Sequence, residues 1–318
     1  SLAAFAALVV TAQFRKPLRL AYERWRALHL VLAVVALGAA VAHVLGVGRF
    51  TADPDKRALW LGVTLGWLAV LGWSRLVVPW RQARNPWRVV ANRDEGGGVH
   101  TLELAPEGRP LRRWKPGQFA WLSIGRSPFS LKEHPFTIST APERGPNLSF
   151  SIKALGDDTA RLIRTAPGTR AHVHGPYGAF SVDRAADAAG FVMIAGGVGI
   201  TPILSNLHAL HARRDPRPVV LVYANRTEDD IAFRSELEAM RGDLDLTLVM
   251  VLEQAPPGWQ GVTGRIDRAL LARHLPPASR DWPHMLCGPA PMTGAAAAAL
   301  RDLGVPSARI DAEVFDLA

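Results

Sequence analysis

The run of apolar and polar positions divides the chain into three stretches with different periods. In residues 1–81 apolar side chains follow one another without alternation. Ala27–Val47 is 21 residues without a charge, long enough to cross the ~30 Å hydrocarbon core of a bilayer. Ala58–Trp80 reads as a second span, with Trp60 and Trp80 at its ends as interfacial aromatics and Arg75 placed to snorkel. Leu2–Phe14 is apolar but too short to span, and reads as the tail of an earlier helix. The chain opens at Ser1 inside that run, so the sequence is expected to lack its natural N-terminus.

From Trp87 to about Val182 the period changes to two. WRVV, VHTLEL, QFAWLSI, LSFSIKA and AHVHG are strand signals, separated by the turn-forming GGG, PEGRP, KPG and PERGPN. Short strands at this spacing predict a small antiparallel barrel, interrupted by one helix near Asp158–Thr165. From Gly190 onward, apolar strands (FVMIA, VVLVYA, LTLVMVL, HMLC) alternate with helical segments at Ile200–Arg213, Asp229–Met240, Ala269–His274 and Met292–Leu303. A short strand near Ile310–Val314 closes the chain. That alternation predicts a parallel doubly wound sheet. The expected fold class is therefore multi-domain. Residues 1–81 form a partial domain of transmembrane α-helices, 82–184 an antiparallel β-barrel, and 185–318 a Rossmann-like α/β nucleotide domain.

Composition narrows the partners. The net charge is +9, yet no Lys/Arg run carries interleaved aromatics, so no nucleic acid is expected. The basic residues gather beside the apolar spans, at Arg15, Lys16, Arg19, Arg24 and Arg26 and again at Arg81, Arg84 and Arg88. This favours membrane lipid and puts both clusters in the cytoplasm, with Gly48–Arg57 outside, in a multi-pass protein of the inner or plasma membrane. One cysteine excludes an internal disulfide framework and a cysteine-clustered metal site.

Two histidines, His29 and His43, are the strongly polar side chains of the first full span. They lie 14 residues apart, which on a helix is about 21 Å along the axis and within about 40° of one face. Imidazoles in hydrocarbon are read as functional. They are either interfacial hydrogen-bonding groups or metal ligands, haem iron among the candidates. Further along, Ile194–Ile203 (IAGGVGITPI) turns a strand into a helix. Its glycines, Gly196, Gly197 and Gly199, let backbone approach a phosphate, and Thr201-Pro202 suits a helix start. His134-Pro135-Phe136-Thr137-Ile138-Ser139 reads alone as an edge strand holding a proline. Lys153 to Thr159, with Gly156, reads as a further anion site at a helix start, and Gly175–Phe180 (GPYGAF) as a turn. Cys287-Gly288-Pro289 closes a late strand, where a lone cysteine is usually a small buried hydrophobe. Glu313 and Phe315 stand near the end of the chain.

In this order, these motifs resemble the ferredoxin-NADP reductase superfamily, and within it the membrane branch of ferric reductases and NADPH oxidases. The resemblance implies an FAD along Pro135, Phe136 and Thr137, with Phe136 stacking and Thr137 reaching the reactive ring nitrogen. His134 stands where soluble members often carry an arginine for the flavin phosphates. Gly156 and Thr159 would close on the FAD pyrophosphate. Gly196, Gly197, Gly199 and Thr201 would hold the nicotinamide dinucleotide, with Cys287 and Glu313 near the nicotinamide and Phe315 covering the flavin. His29 and His43 would each ligate one of two b-type haems. Residues 1–28 contain no histidine, so the second imidazole of each would come from missing N-terminal helices or a partner subunit. Arg15, Arg19 and Arg75 are candidates for haem propionates or lipid headgroups. Arg226, after VVLVYA, leans toward NADPH, with Arg265 a second candidate and NADH the alternative, since Glu228, Asp229 and Asp230 follow at once. The implied activity carries electrons from cytoplasmic NAD(P)H through FAD and haem to an external small-molecule acceptor, ferric iron or dioxygen. Two other readings stand beside it: a membrane-anchored diaphorase without haem that serves a soluble partner, and a non-catalytic nucleotide-binding membrane subunit.

Overall fold

The computed structural model describes residues 2–15, 17–18, 22–48, 52–130 and 132–315. Of the basic residues singled out above, Lys16, Arg19 and the side chain of Arg24 lie outside the described part. The chain divides into two compact units, one formed by Ser1–Arg84 with Arg126–Glu133 and the other by the rest.

The first unit is helical. It contains α1 (Leu2–Gln13), α2 (Tyr22–Val47), α3 (Pro54–Gly72), a π-helical turn at Trp73–Val77, and α4 (Val78–Arg84). Asp53 starts α3: its carboxylate accepts from the Asp55 N–H at 2.9 Å, and Pro54 fills the first turn, where no N–H is needed. Two segments, Trp25–Val47 and Pro54–Arg84, are long and apolar enough to cross a membrane, by length and composition. Both run further than the predicted spans. Val31, Val34, Val35, Leu65, Trp67 and Leu68 stand exposed on them, whereas a soluble helix turns such residues to a core.

The second unit holds two sheets. The first is antiparallel and six-stranded: β1 (Trp87–Asp94), β2 (Val99–Pro106), β3 (Phe119–Ile124), β4 (His134–Thr137), β5 (Leu148–Lys153) and β6 (Arg170–Tyr177), in the order β4-β3-β6-β1-β2-β5. Its edge strands approach at a bridge between Ile138 and Phe150, which curls the sheet toward a half-barrel. Alternate positions Leu102, Leu104, Leu122, Phe150 and Ile152 fill the interior, as the period of two requires. Helix α5 is only Asp157–Leu162, ending short of the predicted Thr165.

The second sheet is wholly parallel, in the order β10-β9-β8-β7-β11-β12, from β7 (Phe191–Gly196), β8 (Val219–Asn225), β9 (Leu246–Leu252), β10 (Val262–Thr263), β11 (His284–Gly288) and β12 (Ile310–Val314). Helices α6 (Ile200–Ala212), α7 (Arg234–Met240), α8 (Arg268–His274) and α9 (Ala290–Asp302) connect them. β7 is buried at every residue, which explains its unbroken apolar run. The chain moves outward from β7 to β10, then returns to lay β11 on the other side of β7. The point of reversal, where such sheets bind ligands, lies at the carboxyl ends of β7 and β11. One difference from expectation matters for the site. α7 begins at Arg234, not Asp229, because Glu228–Asp230 form a 3₁₀ turn. The Asp230 carboxylate closes that turn by accepting from the Thr227 hydroxyl at 2.8 Å, and Phe233 leaves it in a left-handed conformation (φ 58°).

Candidate functional site

A cleft of ≈ 350 Å³ opens at the reversal point. Gly196 and Gly197 floor it from the end of β7, Gly288 and Pro289 from the end of β11, and Asn225, Arg226 and Asp230 from the end of β8. Lys153 and Leu155 come from the antiparallel sheet, Glu253 and Met292 from the nucleotide domain, and Phe315 from the chain end.

The predicted glycines do different jobs. Gly197 has φ +52° and would carry a Cβ into open space, so it can bring bare backbone to a ligand. Gly199 does not line the cleft. A Cβ there would lie 2.3 Å from the carbonyl oxygen of Cys287, so Gly199 is what lets α6 start flush against β11. Thr201 and Pro202 are buried within α6, away from the cleft surface. Cys287 is fully buried, with Ala195 on one side of it in the sheet and Glu313 on the other. Burial, helped by Glu313, pushes its thiol far above the usual range, so it stays protonated and suits packing rather than nucleophilic work.

Glu313 is half-buried, and burial, with Asp311 adding, raises its carboxyl to about 7. It lies against the turn after β6: a Cβ on Gly178 would be 3.2 Å from the Phe119 ring and 3.9 Å from a Glu313 carboxylate oxygen. The terminal strand of one sheet thus meets the GPYG turn of the other. Phe315 packs against the nucleotide-domain core and donates its N–H to the Gly288 carbonyl at 3.0 Å.

On the antiparallel side, His134 and Phe136 are half-exposed, Pro135 is exposed and Thr137 is buried. The His134 and Phe136 rings lie 6.1 Å apart, and those of Phe119 and Tyr177 5.7 Å apart. An edge strand with half-exposed aromatics suits the flat isoalloxazine that the resemblance assigns there. Ser139 and Ile138 are buried behind it. The Thr159 hydroxyl accepts from the N–H groups of Leu155 (2.9 Å) and Gly156 (3.0 Å), so it organises this helix start and occupies donors expected for the FAD pyrophosphate.

Electrostatics in the cleft are mixed. Lys153 reaches Asp230 at 3.2 Å. Burial opposes the Asp230 charge, but Thr227 and Lys153 outweigh it and hold the carboxyl below its usual range. Arg226 is exposed at the rim. Arg265 does not line the cleft; it reaches Glu253 at 3.2 Å instead. The two sheets are also tied outside the cleft. A Cβ on Gly97 would be 2.5 Å from the Asp230 carbonyl oxygen, so only glycine lets the β1–β2 turn pack on the 3₁₀ turn. Sequence reasoning missed the buried polar face of α6, formed by Ser205, Asn206 and His208. Its signal is visible: polar residues at Ser205, Asn206 and His208 interrupt the otherwise apolar run from Ile203 to Leu210.

Residues 100–181 match the model of an FAD-binding domain, and residues 193–298 that of the oxidoreductase NAD-binding domain. The chain carries the two domains of the ferredoxin-NADP reductase superfamily. Its relatives include NADH-cytochrome b5 reductase 1 of Aspergillus terreus, 39% identical over 37% of this chain and 42% of the relative. The enzyme of the same name from Candida albicans is 39% identical over 54% of this chain and 60% of the relative. The matches thus span about two fifths to three fifths of these relatives. Among solved structures, the cytochrome b5 reductase domain of Ulva prolifera nitrate reductase shares the fold, with a TM-score of 0.63 at 22% identity over 73% of this chain and 98% of that one. The CS-b5R domains of human Ncb5or align with a TM-score of 0.60 at 26% identity, covering 71% of this chain and 68% of that one. The superfamily expected from the motifs is therefore the right one. These relatives are named for cytochrome b5 reduction, not for ferric reduction or NADPH oxidation.

The membrane-segment histidines sit on one helix, α2. The His29 ring lies 5.0 Å from that of Trp25, and its Nδ1 has no hydrogen-bond partner among the described residues; His43 is exposed. Arg15 stacks over Trp25 at 5.7 Å. Residues 1–84 contain no other histidine, and no group of three or more metal-ligating side chains occurs among the described residues. A haem held by two imidazoles does not fit the residues present: the chain supplies one for each site.

Proposed function

We propose that this protein is a membrane-anchored, NADH-dependent FAD oxidoreductase that passes electrons to a one-electron acceptor. The observation that carries it is the shared cleft, where the glycine turn of a parallel sheet faces the Lys153 end of the flavin sheet and the terminal Phe315. FAD, when bound, supplies the step between two-electron and one-electron chemistry. The chain's residues do the rest. Gly197 brings bare backbone to the dinucleotide phosphates. Phe136 and Thr137 orient the flavin. Phe315 covers the flavin until the nicotinamide replaces it; its place in the lining of the cleft supports this. Glu313 holds a proton at its carboxyl near neutral pH, beside the turn that joins the two sheets.

Two carboxylates, Asp230 and Glu253, share the cleft with Arg226. A carboxylate at the end of β8 accepts from a ribose 2′-hydroxyl and repels a 2′-phosphate. That favours NADH over the NADPH suggested by Arg226 alone, and the names of the relatives agree. Their names also make a haem protein such as cytochrome b5 the first acceptor to assay.

A second reading, favoured by His29 and His43, is a transmembrane conduit of the ferric reductase and NADPH oxidase type, ending on external ferric iron or dioxygen. It needs a second imidazole for each haem from outside this chain. One comparison separates the readings. In the anchored reductase, replacing His29 and His43 with leucine leaves NADH-driven reduction of cytochrome b5 unchanged. Loss of electron delivery across the membrane in those variants, together with loss of haem absorbance, would establish the conduit instead. If neither NADH nor NADPH reduces bound FAD, only the non-catalytic reading survives.

A further inference from the structure

Helix α6 is buried almost from end to end, yet Ser205, Asn206 and His208 near its middle are polar, and all three are hydrogen-bonded. The Ser205 hydroxyl donates to the Thr140 carbonyl at 2.6 Å and accepts from the Gly117 N–H at 2.9 Å. The Asn206 carbonyl accepts from the Val182 N–H at 2.8 Å, and its amide donates to the Pro202 carbonyl at 2.8 Å. His208, with a side chain 6% exposed, has its Nδ1 2.9 Å from the Ser139 carbonyl oxygen and its Nε2 2.7 Å from the Glu236 carboxylate on α7.

The chemistry of those two partners decides the state of the ring. A backbone carbonyl only accepts, and an ionised carboxylate only accepts. A neutral imidazole has one N–H, so it could bond one partner and would turn a lone pair on the other. Both contacts are hydrogen bonds only if both ring nitrogens carry protons. Glu236 is ionised: burial opposes its charge, but His208 and Arg144, the latter at 3.6 Å, outweigh this and hold its carboxyl below the usual range. The charged groups around this pair are Arg144 from the 3₁₀ turn at Pro142–Arg144 and Arg93 from β1, which interacts with Glu236.

We propose that His208 is a doubly protonated positioning residue. Its Nδ1–H ties the segment that follows the flavin strand to α6, the helix that follows the glycine turn, and its Nε2–H ties α6 to Glu236 on α7, so the ring is held from both sides and sets the separation of flavin and nicotinamide. Ser139 is two residues beyond Thr137, and α6 starts directly after Gly199. Ser205 and His208 are three apart and share a helix face, so they grip the adjacent carbonyls of Thr140 and Ser139 together. The role in hydride transfer rests on the reading of the cleft as an NADH–FAD site; the ring's protonation does not.

The test uses the full chain loaded with FAD and labelled with ¹⁵N-histidine. At about pH 7, His208 should show two protonated ring nitrogens facing its two acceptors, assigned by their loss in His208→Gln. In Glu236→Gln the amide can donate to Nε2, and the ring should become neutral at the same pH. Stopped-flow reduction of FAD by NADH supplies the functional arm. His208→Leu, which can make neither bond, should lower that rate on the order of tenfold. Glu236→Gln, whose amide still pairs with Nε2, should keep close to the wild-type rate, with KM for NADH in place in both variants. An unprotonated ring nitrogen on wild-type His208 at this pH would overturn the proposal, as would a wild-type rate of flavin reduction in His208→Leu. Failure of NADH to reduce wild-type FAD at any pH would refute the reading of the cleft, and the ¹⁵N signals would still decide the state of His208.

Discussion

Replacing Gly199 with alanine tests how the dinucleotide end of the cleft is built. Gly199 has φ −61° and ψ −5°, so alanine suits the backbone and only space decides the outcome. The new Cβ would sit 2.3 Å from the Cys287 carbonyl oxygen, 2.6 Å from its carbon and 2.8 Å from Gly288 Cα. All three are backbone atoms, and no side chain can swing aside. Ordinary contact starts at 3.4 Å, so α6 and β11 must part by roughly 1 Å. Overpacking of this kind costs about 1–3 kcal/mol. The same displacement shifts the Gly196–Gly197 turn that lines the cleft and leads into α6. If the whole cost fell on binding, KM for NADH would rise about 5- to 150-fold. Gly196→Ala is the control, because its Cβ meets chiefly the flexible end of Met292, and it should cost less. The assays are steady-state NADH kinetics and urea unfolding of the FAD-loaded protein, with FAD content expected to match wild type. Wild-type KM and stability in Gly199→Ala, or an equal loss in Gly196→Ala, would refute the argument.

Other outcomes follow from single groups. Asp230→Ala removes the carboxylate assigned to the ribose hydroxyl; KM for NADH should rise about 10- to 100-fold, the size of a lost charged hydrogen bond, and the preference over NADPH should narrow in kinetics with both nucleotides. His284 is buried at the start of β11, donates from Nδ1 to the Trp282 carbonyl at 2.8 Å, and is lowered by burial to about 4. It is neutral when folded and protonates on unfolding below about 6.5, so its stability contribution is present above that pH and is lost as pH falls through 4, by about 3 kcal/mol; in urea titrations His284→Gln should flatten this acid limb. Glu313, raised to about 7, has the opposite sign: its contribution is present below about 4.5 and is lost as pH rises through 7, by at most about 3 kcal/mol before solvent screening. Glu313→Gln should remove that decline from the same titrations.

The parts of the fold governed by local period were legible in the sequence. β7 is buried on both faces and reads as an unbroken apolar run, while β5 reads LSFSIK, with its apolar residues Leu148, Phe150 and Ile152 at alternate positions in the interior. The boundary of α7 was not legible, because Asp230 spends its carboxylate on Thr227 and Lys153 and turns the chain before the helix starts. Within the site, Lys153, Gly196, Gly197, Arg226, Gly288, Pro289 and Phe315 line one cleft, but spacing could not tell a glycine that lines it (Gly197) from one that makes room for backbone (Gly199). Arg265, the second candidate for a phosphate contact, pairs with Glu253 at the cleft and does not itself line it. The α6 polar face escaped notice because each of Ser205, Asn206 and His208 is satisfied by a carbonyl, amide or carboxylate distant in sequence. Such partners exist only once the two sheets are together.

The central claim is that one cleft brings a nicotinamide and a flavin into reaction. Anaerobic titration of the FAD-loaded full chain with NADH tests it directly, followed by the absorbance of oxidised flavin. The account predicts stoichiometric bleaching, faster with NADH than with NADPH. Flavin that is bound but stays oxidised with both nucleotides would contradict it.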